Sequence, residues 1–505
     1  MSRIAVGTFA VVAFVLCSIA PVAYLLVRSI ADRTLDLAAL GLDTRQRGLL
    51  WNTGILGIGT SMLATTIGAP LGVALARVTL PLKGMLRLLL AVPILVPPYI
   101  AALAWTYLMP SDWAHTLAGA ILVLSLVFYP LSMLATEVAL RRIDGRLEEA
   151  ALVHASPQLV LRRITFPLAA PSVVAAALII FVLTVSEFGV PGLLRVRVYT
   201  TEVFTAFAAL YDFGRAVVIA LPLLLVCVFI AALAVGIAGD RLVSTGRGSG
   251  SGPPLLEGWQ RLAVVAALGI VTIALVVPLI VLGREALGAD SVEAVVVGSG
   301  EAIANSLVFA TVGATVVVGL AILLGYFRAR AHGRLGQLAD VVMVVAFAVP
   351  STIVGVGLIG MWNRPGFLGT FYGTDVMFIL GYLARFVPVA ALAIAASMRT
   401  VPVSHEDAAA VSGAGWIRTM TRIVIPQIRV GLLTAWVIAF VLAFGELGVS
   451  ILIAPAGEAT LPIRIYTLIA NSPPSQVAAL ALLQTLVILC PVAMLGLAVT
   501  VRETR

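Results

Sequence analysis

The chain predicts an all-α membrane protein of about 12 transmembrane helices, arranged as two similar six-helix bundles. Three observations carry that prediction. Of its 505 residues, 61% are hydrophobic and only 11% charged, with a mean hydropathy of +1.11, whereas soluble domains carry roughly 25% charged residues. The apolar residues gather into runs of about 20, the length a helix needs to cross a bilayer. The second half of the chain also repeats the first, with Glu, Gly, Pro and Trp recurring at nearly constant offsets.

The elements follow in order. A run at about 8–29 has only Arg3 before it and about 22 apolar residues, which marks an uncleaved first helix and not a signal peptide. Further runs lie at about 50–76, 86–108, 117–139, 169–194 and 215–238, each long enough to span. Asn52 opens the second; Pro93, Pro97 and Pro98 interrupt the third, and Pro130 the fourth. Residues 239–260 read as a linker between domains 1–238 and 261–505, because the Ser/Gly-rich stretch 244–252 has no apolar face to bury.

The second half offers runs at about 262–283, 304–327, 339–361, 375–398, 429–454 and 476–500. Asn305 opens its second run as Asn52 does in the first half. Ala348-Val349-Pro350 with Trp362 answers Ala91-Val92-Pro93 with Trp105, and Glu446-Leu447-Gly448 answers Glu187-Phe188-Gly189. Pro350 and Pro388 interrupt the ninth and tenth runs. An even number of crossings per half gives both halves one topology, related by an axis along the membrane normal.

Between the fourth and fifth runs of each half lies a polar segment, residues 147–167 and 406–426. Glu148 matches Asp407 and Pro167 matches Pro426, both 259 residues apart. Acidic residues in the first turn favour a helix start, so each segment is expected to form a helix, a break and a second helix lying along the membrane face. Gly413 sits at the second break, where a positive φ costs little. His154 stands in the first, where either a strained turn or a different turn is expected.

With Met1 placed inside, inner segments collect about 21 of the 32 basic residues, so the positive-inside rule puts both termini and both polar segments in the cytoplasm. The net charge of +8 is scattered among the loops and implies no nucleic-acid partner.

Charged residues inside spans point to function by default, because a charge in hydrocarbon is costly. Glu187 and Glu446, followed by Gly189 and Gly448, stand near the outer ends of the fifth and eleventh runs, within expected reach of the headgroups. They are candidates for lining or gating a pathway. Arg385, inside the tenth run, has Val127 as its first-half counterpart, and pairing with Glu446 or Asp375 is expected.

Lys83 is the only lysine in the chain and Leu82 precedes it, so a GxxxxGK[ST] phosphate-binding loop cannot form. Cys17, Cys227 and Cys490 lack CxxC spacing, and His115, His154, His332 and His405 lack metal-ligand spacing, so no metal site or catalytic residue is expected.

The two polar segments, Leu147-Glu148-Glu149-Ala150-Ala151-Leu152 and Asp407-Ala408-Ala409-Ala410-Val411-Ser412-Gly413, resemble the EAA motif loops of ABC-importer permeases. The resemblance covers nearly the whole chain and implies the type I importer permease fold. It also implies partners: two copies of an ABC ATPase subunit, which use ATP as this chain does not, an external solute-binding protein, and membrane lipid. It places the chain in the cell inner membrane as a multi-pass protein. Glu148 and Asp407 would then face basic residues of the ATPase, with Glu149 beside them in the docking segment. Ala150, Ala151, Ala408 and Ala409 would let each helix pack closely, with His154 and Gly413 at the turns.

Ser186-Glu187-Phe188-Gly189 and Phe444-Gly445-Glu446-Leu447-Gly448 resemble the ferric-iron importers, and next their thiamine-importing relatives, with polyamine and phosphonate permeases as further alternatives. From another class, a twelve-helix ion-coupled secondary transporter shares the parallel repeat but needs no duplicated docking loops.

Overall fold

The computed structural model describes residues 3–31, 44–210, 213–239, 252–253, 255–256, 258–288, 292–331 and 333–503. Most of the expected linker, residues 240–251, 254 and 257, lies outside them. Among the described residues, nine helices are long and apolar enough to cross a membrane, and three bent helix pairs bring the number to twelve if each pair is one span.

In the first half these are α1 (Val6–Arg28), α2 (Thr44–Arg77), the bent pair α3 (Lys83–Ala91) and α4 (Pro98–Leu108), and α5 (Leu117–Arg141). The short loop helix α6 (Gly145–Leu152) leads to α7 (Pro157–Ser186) and α8 (Phe213–Ala238). The second half repeats the order with α9 (Gln260–Ala286), α10 (Gly300–Arg330), the bent pair α11 (Gly333–Ala348) and α12 (Ser351–Trp362), and α13 (Val376–Met398). The loop helix α14 (Val403–Val411), the bent pair α15 (Trp416–Gln427) and α16 (Arg429–Phe444), and α17 (Pro474–Glu503) complete it.

Proline chemistry explains two of the bends. Val96 (ψ 125°) and Pro97 (φ −53°, ψ 130°) are extended before Pro98, and the chain turns by 90° there. A proline forces its predecessor off the helical region and lacks the N–H that would continue the ladder. Pro350 (φ −54°, ψ 137°) does the same between α11 and α12, again at 90°.

Pro130 and Pro388 behave differently from the expectation. Both sit inside unbroken helices, where neighbouring backbone and side chains accommodate the freed carbonyl. Gly68 of α2 lies so close to the Tyr129 carbonyl beside Pro130 that a Cβ would collide with it.

Both breaks lie at mid-depth. Tyr129, the central residue of α5, donates to the Leu90 carbonyl just before the first break (2.8 Å). Arg385, near the centre of α13, donates to the Val349 carbonyl at the second (3.2 Å).

The repeat shows in side-chain bonds as well. Asn52 donates to the Arg197 carbonyl (3.1 Å) and Asn305 to Glu458 (2.7 Å). Each ties the start of its half's second helix to the segment before the last.

The halves are not separate contiguous bundles. Ala10 and Phe14 of α1 pack with Ala310, Ala314 and Val317 of α10, and a Cβ at Gly357 of α12 would strike the Pro21 carbonyl of α1. In return, Ala267 and Val271 of α9 share a core with Leu86, Ala101 and Ala120 of the first half. The first helix of each half thus reaches across onto the other, α9 while also packing along α17 of its own half.

Candidate coupling loops and translocation site

The two loop helices lie at one end of the molecule, each tied to its own half by an arginine. In the first loop the Asp144 side chain accepts from the Arg146 N–H and caps α6 (3.1 Å). Glu148, one turn in, is buried. Its Oε1 accepts from Arg77 Nε (3.1 Å) and from Thr165 Oγ1 (2.8 Å), and Arg77 Nη2 also donates to the Leu140 carbonyl (2.7 Å). This corrects the expectation that Glu148 faces outward. Glu148 Oε2 is buried with no hydrogen-bond partner among the described residues, so the desolvation of the pair is only partly offset.

The second loop repeats the device. Arg330, the last residue of α10, donates Nε to Glu406 (2.8 Å), and the Tyr326 hydroxyl donates to the other carboxylate oxygen (2.8 Å). The caps Asp144 and Pro402 are 258 residues apart, whereas the helix ends Leu152 and Val411 are 259 apart. The second loop helix is therefore one residue longer. Glu148 corresponds structurally to Glu406, and the exposed Glu149 corresponds to the exposed Asp407. The one-residue offset corrects the pairing of Glu148 with Asp407.

Ala150 and Ala408 are exposed, Ala151 is half-buried and Ala409 is buried. Gly413 has φ +77°; its N–H donates to the Ala410 carbonyl (3.0 Å), and that of Ala414 to the Ala409 carbonyl (2.9 Å). Together these bonds form a Schellman ending. His154 is exposed and does not have positive φ, a conformation that among described non-glycine residues occurs at Leu82 and Arg195. Of the two outcomes expected at His154, strain is absent: its N–H donates to the Ala151 carbonyl (3.1 Å), as that of Gly413 does to Ala410, in a turn without a left-handed residue.

A second constellation lies where the halves meet, at the level of the two breaks. Past the end of α7, Glu187 Oε1 accepts from the N–H groups of Gly189 (2.8 Å) and Val190 (3.4 Å). Past α16, Glu446 Oε1 accepts from Val449 (2.9 Å). Each glutamate thus folds its chain into an elbow. Each elbow sits against the break of its own half and also touches the other half. A Cβ on Gly189 would stand 2.9 Å from Tyr99 Cβ and 3.6 Å from Leu447 Cδ2, and one on Gly448 would collide with Ser351 Oγ. Ser186 Oγ donates to the Ala348 carbonyl of the other half (3.0 Å).

Arg385 Nε lies 3.6 Å from Glu446 Oε2, so of the two partners expected for it Glu446 is the one found. Arg385 is also within electrostatic reach of Glu187. The two carboxylates therefore sit inside the protein near mid-depth, not in reach of headgroups as expected. Two glutamates thus share one arginine at this seam.

Sequence reasoning missed Arg77, Arg330, Tyr326, Thr165 and Glu406. The signal was present: Arg77 and Arg330 are 253 residues apart, the same offset as Asn52 and Asn305. It also missed Tyr99, whose hydroxyl donates to Gln484 (2.6 Å) while Gln484 Nε2 donates to the Phe444 carbonyl (3.1 Å) at the open end of α16.

The model of the family described as binding-protein-dependent transport system inner membrane component matches residues 64–241 and again residues 318–502. The chain belongs to this family. It is a permease of two fused halves, and it resembles ferric importers over most of its length. It is 23% identical over 437 residues to the Fe(3+)-transport system permease protein FbpB 2 of Haemophilus influenzae, covering 84% of each chain. To the putative ferric transport system permease protein FbpB 1 of the same organism it is 22% identical, covering 83% of this permease and 71% of the relative. The molybdenum transport system permease protein ModB of Escherichia coli is 28% identical over 158 residues, 28% of this chain and 69% of the relative. Membership in this family sets the ion-coupled alternative aside.

Proposed function

We propose that this permease carries ferric iron, delivered by an external binding protein, into the cytoplasm, driven by two copies of a separate ATPase that dock on α6 and α14. The observation that carries the reading is the pair of loop helices at one end, each locked through Arg77–Glu148 or Arg330–Glu406 to the last turn of a long helix. Such a joint passes a push on the loop to the helix. The exposed carboxylates Glu149 and Asp407 are left to meet basic groups of the ATPase. Ala150 and Ala408, with the half-buried Ala151, supply a low-profile surface, and His154 and Gly413 the turns behind it.

At mid-depth the elbows carrying Glu187, Gly189, Glu446 and Gly448, with Arg385 beside them, close the seam between halves. When the halves rock apart the elbows separate and a path opens. Carboxyl groups along the seam suit a cationic cargo, and the ferric relatives favour iron. The basic residues of the loop-bearing end make that end cytoplasmic, so both termini lie inside.

The test is uptake into proteoliposomes containing the permease, its ATPase and the binding protein encoded beside it. Ferric iron should enter only with all three and ATP. Uptake of thiamine and not iron would replace the cargo, and uptake without the ATPase would remove the coupling mechanism.

A further inference from the structure

The two loop joints differ in what covers them. In the first half, linker residues lie across α6 and the end of α2. The Leu255 N–H donates to the Arg77 carbonyl (3.1 Å), one of the orphan carbonyls of a helix end, and Leu255 is 1% exposed. Gly252 Cα stands 3.1 Å from where a Cβ on Gly145 would be. A Cβ on Gly252 would itself collide with Glu148 Oε2, with Arg77 Nη2 3.1 Å away. Only glycine brings backbone this close to the pair.

Beneath this cover the Arg77 and Glu148 side chains are both 0% exposed. In the second half, Arg330 and Glu406 are 10% and 14% exposed. They open into a cleft of about 430 Å³ lined by residues including Tyr326, Asp407, Ala410 and Trp416.

We propose that Gly252, Pro253 and Leu255 form a strap that seals the Arg77–Glu148 joint and holds the first loop to its half, while the second loop, held by the partly exposed Arg330–Glu406 joint, yields more readily. The strap excludes water from a buried ion pair, and breaking such a pair is then strongly unfavourable. The linker thus acts beyond connecting the halves: it makes two joints of the same design mechanically unequal. The last step, movement under a partner, rests on the ATPase-docking reading.

The test uses the full chain without its three native cysteines, in membrane vesicles. Leu255→Cys should react with a charged maleimide at least about ten-fold more slowly than Val411→Cys on the second loop, because a buried site must open before it reacts. Adding Gly252→Val should remove most of that protection. Equal rates for the two single variants would overturn the strap, whether or not the Gly252 variant folds. Spin labels on each loop, measured against a label fixed in the same half, should show a smaller ATP-dependent shift for the first loop; equal shifts would overturn the mechanical inequality. If the ATPase does not bind the chain at all, the docking reading fails, and the labelling rates still decide the strap.

Discussion

Glu148 and Glu149 are neighbours with opposite fates. One turn of helix puts Glu148 under the end of α2 with Arg77, and leaves Glu149 in water. Removing one member of a buried ion pair leaves the other charge unpaired, at a cost of about 3–5 kcal/mol. Glu148→Ala should therefore lower the thermal unfolding midpoint clearly in detergent, and Arg77→Met with Glu148→Leu should recover much of the loss. Glu149→Ala and Asp407→Ala should leave that midpoint nearly unchanged while weakening stimulation of the ATPase. A Glu148→Ala protein as stable as its parent would show that the pair is not closed.

At the seam, Glu187→Gln keeps an oxygen to accept from Gly189 and Val190 and removes only the charge. It should insert normally and transport more slowly. Glu446→Gln strands Arg385, so the double change with Arg385→Gln should express better than Glu446→Gln alone. Parental transport by both single Gln variants would make the carboxylates purely structural.

The loop turns separate by conformation, an effect of element scale. Gly413 holds φ +77°, so Gly413→Ala should cost about 1 kcal/mol, the penalty of a left-handed L-residue. His154→Gly relieves nothing and should destabilise slightly, through the greater freedom glycine has when unfolded. Unfolding midpoints of the two variants would check the contrast.

The spans, their number and the two loops were legible because apolar length and helix-start chemistry are written locally. The bends at Pro97 and Pro350 were legible for the same reason, since proline acts on its own neighbours. What the sequence hid was partnership. Arg77 and Arg330 read as two more basic residues at span ends, and their roles depend on carboxylates 71 and 76 residues away. The one-residue difference between α6 and α14 was hidden too, because Pro167 and Pro426 set an offset of 259 while Glu148-Glu149-Ala150-Ala151 matches Glu406-Asp407-Ala408-Ala409 at 258.

For the whole molecule, the exchange of α1 and α9 between halves is the dominant architectural fact. Chains cut within the linker, 1–245 and 246–505, should co-purify when expressed together, held by α1 on α10 and α9 on α3 and α4. Gly357→Leu, whose side chain would strike the Pro21 carbonyl, should loosen α1 from the second half and weaken that co-purification. Halves that purify apart, or a Gly357→Leu variant that co-purifies as the parent does, would count against the exchange.

That exchange also sets a schedule for biogenesis. Gly7 of α1 packs against Phe327 of α10, 320 residues later in the chain. At ribosomal speeds of roughly 5–20 residues per second, α1 waits on the order of tens of seconds for its partner. Meanwhile its Ala- and Gly-bearing face has only lipid to rest against. The first half cannot finish folding before the second is made, so a stalled or truncated translation product would carry an unmatched helix surface that marks it for membrane quality control.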